Sequence, residues 1–142
     1  MAVHSSATTV WEGDLAHGAG KTTPESGAFE TVDVSWASRT ARAAGKTSPE
    51  ELLAAAHASC FCMALAHELA EAGSPPERLE ASARVEFDPD EGVKSSHITV
   101  RGSVPGIDQD AFSDAARGAG EGCPISGALK IDITVEATLE SG

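Results

Sequence analysis

The 142-residue chain sets 22 acidic against 10 basic side chains, a formal charge of −12 that repels phosphate backbones and anionic membranes and argues against either as a partner. At this length one domain, spanning 1–142, can bury roughly 68–70% of its unfolded surface without help from disulfides or metal. With 4% aromatic residues and no Tyr, its core falls to Ala, Val, Leu and Ile.

Met1 to Ser6 lacks the positive stretch and apolar run of a secretory signal. The longest apolar-rich segment, Leu52 to Ala66, is interrupted by His57 and Ser59 and falls short of the ~20 residues that span a bilayer. A cytoplasmic protein is the expectation. Three cysteines without an export signal argue against a disulfide framework and for a catalytic, redox, metal-binding or merely buried role.

In chain order, Thr8 to Glu12 alternates weakly as a strand, Gly18-Ala19-Gly20 and Pro24-Glu25-Ser26-Gly27 read as turns, and Phe29, Val32, Val34 and Trp36 suggest a further strand. Ser48-Pro49-Glu50-Glu51 is a helix start, with Ser48 as N-cap, Pro49 at the first position and Glu51 completing a capping box. This helix should run to about Ala72 and stop at Gly73. Between Leu52 and Ala66 it is apolar nearly all the way round, so other elements must surround it. Leu79, Ala81, Ala83, Val85 and Phe87 alternate with polar residues as a half-buried strand. Asp88 to Gly92 turns the chain, and Ile98, Val100, Gly102 and Val104 return antiparallel. Asp108 can cap a second helix ending among Gly118, Gly120 and Gly122, and Ile131 to Leu139 closes the chain as a third alternating strand. The class is α+β, antiparallel sheets packed around a long buried central helix.

Cys60 and Cys62 lie about 200° apart around the central helix and cannot pair there, so at most one of them shares a site with Cys123. Free cysteine is often simply a small buried hydrophobe, the plain reading for Cys62. Cys123, between Gly122 and Pro124, sits at the start of a short helix, a place that stabilises a thiolate, and residue context alone makes it the better-activated sulfur. His57 shares a helix face with Cys60, so a metal site of His57, Cys60 and Cys123 is conceivable, although no fourth ligand stands out. Asp88 to Glu91 lacks the ligand spacing of a calcium loop and reads as a solvated hairpin tip.

The segment Thr47 to Leu65, TSPEELLAAAHASCFCMAL, resembles the central-helix motif of the OsmC/Ohr family, the osmotically inducible and organic-hydroperoxide-resistance proteins. Gly122 to Leu129, GCPISGAL, resembles that family's second-cysteine motif. With Trp11-Glu12-Gly13-Asp14, Glu25-Ser26-Gly27 and Val104-Pro105-Gly106-Ile107-Asp108, the likeness spans essentially the whole chain, and the Trp-Glu-Gly-Asp start and the Ala-His-Ala-Ser-Cys helix look like its OsmC branch. The resemblance implies a thiol peroxidase without a cofactor, acting on organic hydroperoxides as an intertwined homodimer. It implies that Cys60 is the peroxidatic cysteine, oxidised to a sulfenic acid, and that Cys123 resolves it as a disulfide. It also places the family's arginine and glutamate at Arg39 and Glu50, with Arg42 as the competing arginine. The reductant it implies is a thiol, in relatives often a dihydrolipoyl group on a protein.

Ten residues of helix set Glu50 ~15 Å along the axis from Cys60 of the same chain, so Glu50 must act through Arg39 or come from a partner subunit. Thr40 stands where the family often has an aromatic residue, and Cys62 where it usually has a small one. Two other classes remain: a redox- or metal-sensing binding module using the same thiols without turnover, and a structural homodimer whose cysteines are core residues.

Overall fold

Thr8, Thr9, Val10 and Trp11 favour extended backbone and lie in strand β1 (Ala7–Glu12), antiparallel to β2 (Ala19–Pro24), which pairs antiparallel with β3 (Val32–Val34). The computed structural model describes residues 1–42 and 44–141. These strands belong to the first of two compact units, Met1–Leu52; the second is Leu53–Gly142. Gly18 to Gly20, expected as a turn, instead leads into β2. A Cβ on Gly20 would lie 2.8 Å from both the Trp11 ring and Val34, so glycine here makes room for the neighbouring side chains. Trp36, expected in a strand, opens helix α1 (Trp36–Thr40) because Ser35 and Ser38 form a reciprocal capping box ahead of it. Every residue of β1 is exposed.

Helix α2 (Pro49–Glu71) starts where the sequence places it, the Ser48 hydroxyl accepting the Glu51 N–H at 3.1 Å. It ends at Gly73, whose φ of +88° suits a residue without a Cβ. The helix is long and apolar enough to cross a membrane by length and composition, more than the Leu52–Ala66 run suggested. Its stripe of Phe61, Leu65 and Leu69 is nevertheless core in the second unit. His57 is fully buried on the same helix, whereas Ala55, Ser59 and Met63 are exposed, Met63 by 72%.

In the second unit β4 (Arg78–Asp88) and β5 (Gly92–Ser103) form the expected antiparallel pair. Helices α3 (Gln109–Gly122) and α4 (Pro124–Ala128) then carry the chain to β6 (Asp132–Ser141), which pairs parallel with β5. The expectation of antiparallel strands throughout is corrected here: a strand, a helical crossover and a returning strand restore the original direction. The sheet order is β4-β5-β6, and Ile98 and Val100 of β5 meet Phe61, Leu65 and Leu69 of α2 and Phe112, Ala116 and Ala119 of α3. Phe112 packs on Gly102, where a Cβ would come within 2.5 Å of its ring. Asp108 caps α3 as expected, accepting the Ala111 N–H at 2.9 Å.

Candidate active site

The first unit presents a fixed cation. Arg39 Nε donates to Glu50 Oε1 and Oε2 at 3.1 and 3.2 Å, and its Nη2 donates to Oε2 at 2.8 Å. This two-nitrogen engagement fixes the plane of the guanidinium. Local structure brings the two together. Ser38 of α1 donates to the Thr47 carbonyl at 2.7 Å, and the Thr47 N–H donates to the Asp33 carbonyl at 2.9 Å, tying the loop before α2 to the end of β3. The guanidinium also lies 5.7 Å from the Trp36 ring centroid, within cation–π range. Glu50 is 8% exposed while the Arg39 side chain remains 30% exposed, so the carboxylate is committed and the cation still reaches solvent. Arg42 is exposed and meets Glu51 only at 4.0 Å. Arg39 has the geometry of an anchored arginine and Arg42 does not.

The second unit holds the sulfurs. All three cysteines are free thiols; Cys60 and Cys62 are half-buried and Cys123 is 1% exposed. Cys60 of α2 and Cys123, at the start of α4, each bear on the acidity of the other. Burial pushes the Cys60 thiol up, as does Cys123, against a smaller opposing pull from the Ile125 N–H. Burial works on Cys123 in the same sense, but hydrogen bonds from Cys60, the Ser126 and Ile125 N–H groups and the Ser126 hydroxyl outweigh it, holding this thiol below its ordinary value. Within one chain Cys123 is thus the more acidic sulfur, as its sequence context suggests, and Cys60 the more accessible one. Cys62 is pushed up by burial and interacts with the Ala81 backbone of β4, away from this pair.

Behind the sulfurs stands a fully buried histidine. His57 Nδ1 is 2.7 Å from Ser96 Oγ of β5, and its Nε2 is 2.8 Å from Ser126 Oγ of α4. Burial holds its pKa below the ordinary histidine value, so the ring is neutral at neutral pH. With both nitrogens engaged, it is no metal ligand in this arrangement, and among the described residues no group of His, Cys, Asp and Glu could hold a metal ion. Sequence reasoning picked out His57 but missed Ser96 and Ser126. The motif Cys-Pro-Ile-Ser carries Ser126 one helical turn from Cys123, the only available signal.

Chemically, the second unit offers two thiols able to become one disulfide, and the first an arginine able to stabilise an anion. The chain matches the model of the family described as OsmC-like protein over residues 42–138. It is 38% identical to peroxiredoxin OsmC of Escherichia coli K12, covering 99% of this chain and all of that one. Among solved structures it is similar to the organic hydroperoxide resistance protein OhrB of Bacillus subtilis (TM-score 0.61, 26% identity, 95% of this chain and 98% of that one). An OsmC protein of Legionella pneumophila shares the fold over the full length of both chains, with TM-score 0.69 at 22% identity.

Proposed function

The chain belongs to the OsmC family, and on that premise we propose that it is a peroxidase reducing organic hydroperoxides to alcohols, with Cys60 as peroxidatic and Cys123 as resolving cysteine. A full-length relative named a peroxiredoxin and a neighbour named for hydroperoxide resistance support a peroxidase or redox role. The observation that carries the finer reading is the thiol pair: two free cysteines that each bear on the other's acidity, one half-buried and one buried.

In the first step the Cys60 thiolate attacks the terminal peroxide oxygen. The O–O bond breaks, the alkoxide takes a proton and leaves as alcohol, and Cys60 becomes a sulfenic acid. In the second step the Cys123 thiolate attacks the Cys60 sulfur; a disulfide forms and hydroxide leaves, protonated to water. A dithiol, a dihydrolipoyl group on a protein being the class we assign, then restores both thiols. Burial disfavours the Cys60 thiolate, so this cycle needs a cation. Arg39, held by Glu50, is the one assigned to lower the Cys60 pKa and polarise the peroxide.

The reading also makes the two units one domain of a cytoplasmic homodimer. Its support is apolar surface that one chain leaves uncovered: Met63 on α2, and Val10 and Trp11 on a strand exposed along its whole length. Turnover of cumene hydroperoxide with dithiol reductant tests the chemistry. Cys60→Ser is expected to lower kcat/KM by at least ~10³-fold, the loss of a nucleophile, while Cys123→Ser consumes one equivalent and stops at the sulfenic acid. Full activity in Cys60→Ser protein overturns the reading.

A further inference from the structure

The cycle described above uses neither His57 nor the two hydroxyls on either side of it, yet these three side chains anchor the element that carries the resolving cysteine. Helix α4 has five residues, too few to hold a helical turn by themselves, so its place depends on what it packs against. Pro124, Gly127 and Ala128 are exposed, Ile125 is half-buried, and Ser126 is the one buried side chain of the helix. Its Oγ lies 2.8 Å from Nε2 of the fully buried His57 on α2, whose Nδ1 lies 2.7 Å from Oγ of Ser96 on β5. A neutral imidazole donates from one nitrogen and accepts at the other, and a hydroxyl can do either, so both bonds form in either tautomer. Three elements are thereby tied at one ring. An apolar contact in this place would let α4 slide, whereas two directional hydrogen bonds fix it.

The tie sits one turn of chain from each sulfur. His57 precedes Cys60 by three residues on α2, a spacing that sets side chains about 5–6 Å apart on one face. Ser126 follows Cys123 by three residues, across the turn that the Gly127 N–H closes on the Cys123 carbonyl at 3.0 Å. A disulfide tolerates little error in such placement, since its Cα atoms must come within about 4.4–6.8 Å with the Cβ atoms facing. We propose that the buried Ser96–His57–Ser126 bridge is the clamp that holds the Cys123 turn in register with Cys60, which makes His57 and Ser126 positioning residues for disulfide formation. The step they serve is the attack of the Cys123 thiolate on the Cys60 sulfenic acid: the S–S bond forms, the S–O bond breaks, and hydroxide leaves to be protonated to water. Oxidation of Cys60 by peroxide does not involve α4, so the clamp leaves that step alone.

The clamp rests on the disulfide cycle proposed above, and one titration reads the two separately. Disulfide formation in parent, His57→Leu, Ser126→Ala and double-variant proteins is followed by acid quench and mass mapping at rising cumene hydroperoxide. At low peroxide the rate reports oxidation of Cys60; at high peroxide it levels off at the rate of Cys123 attack. The plateau is expected to fall about tenfold in each single variant, the size of one buried hydrogen bond's contribution to alignment, while the low-peroxide slope stays within about twofold of the parent. In the double variant the plateau should fall no further, because both substitutions break one bridge. A general loss of stability would instead add between the two and lower slope and plateau together, which overturns the clamp. So does a plateau within about twofold of the parent in either single variant. Should His57→Leu not fold, Ser96→Ala, which frees the same ring from β5, takes its place. A parent that forms no disulfide with hydroperoxide removes the peroxidase cycle. The proteins are then equilibrated with reduced and oxidised dithiothreitol, where the clamp predicts a disulfide-to-dithiol ratio about tenfold lower in the variants and an unchanged ratio overturns it.

Discussion

In the first unit Arg39 donates three hydrogen bonds to the carboxylate of Glu50, a residue 8% exposed, yet β1 is exposed at every position and Val10 is 60% exposed. In the second unit the thiol pair and its histidine sit against a core of Phe61, Leu65, Ile98, Val100 and Phe112, all fully or almost fully buried. The cation is thus placed by loop closure and short-range hydrogen bonds, in a unit with little apolar burial of its own, and the sulfurs are placed by packing. Packing errors should therefore be felt at the thiols through stability. Charge errors should be felt in chemistry with the fold intact.

The largest way to break this contrast is Phe61→Ala, one residue from Cys60 on α2. Removing a fully buried ring from the core is expected to cost about 3–5 kcal/mol, read by denaturant unfolding. Next comes Arg39→Met, expected to slow peroxide oxidation of Cys60 about 10²–10³-fold, as loss of a donor to developing negative charge does elsewhere. Its unfolding free energy should fall by about 1–3 kcal/mol, less than Phe61→Ala costs, because the Glu50 carboxylate is left almost buried without its cation. Glu50→Gln keeps the shape of the clamp and removes its charge, so a smaller loss of about tenfold in the same oxidation step, the size of one charge-assisted hydrogen bond, is expected.

The smallest effect is in pH. Unfolded His57 takes up a proton near its reference value of 6.5, whereas the buried ring resists it to lower pH. The unfolded state then binds more protons, and stability falls as pH drops below 6.5, by at most about 1.4 kcal/mol per pH unit, until the folded ring also protonates. Unfolding free energies between pH 7.5 and 5.5 should show this slope in the parent and a flatter line in His57→Leu.

Much of this was written locally in the chain. The Ser-Pro-Glu-Glu start and Gly73 stop of α2, the Asp108 cap of α3 and the alternation of β4, β5 and β6 are signals carried within a few residues, and each element forms where they say. The two cysteine motifs likewise carry the family likeness within short stretches of sequence. What stayed hidden is relational. Alternation states that Ile133 to Leu139 is a half-buried strand, but its parallel pairing with β5 is set by the crossover through α3 and α4. Gly20 reads as a turn residue because its real reason, the Trp11 ring opposite it, lies on another strand. Ser96 and Ser126 stand 39 and 69 residues from the histidine they serve, and a lone serine carries no periodicity to announce such a partner.

The central claim is that an organic hydroperoxide joins Cys60 to Cys123. Mass mapping of non-reduced protein after one equivalent of cumene hydroperoxide, set beside one equivalent of hydrogen peroxide, tests it most directly. The account predicts a Cys60–Cys123 peptide pair that forms quickly with the organic peroxide and slowly with the inorganic one. Protein in which neither peroxide produces that pair, or in which Cys62 is linked in place of Cys60, would contradict it.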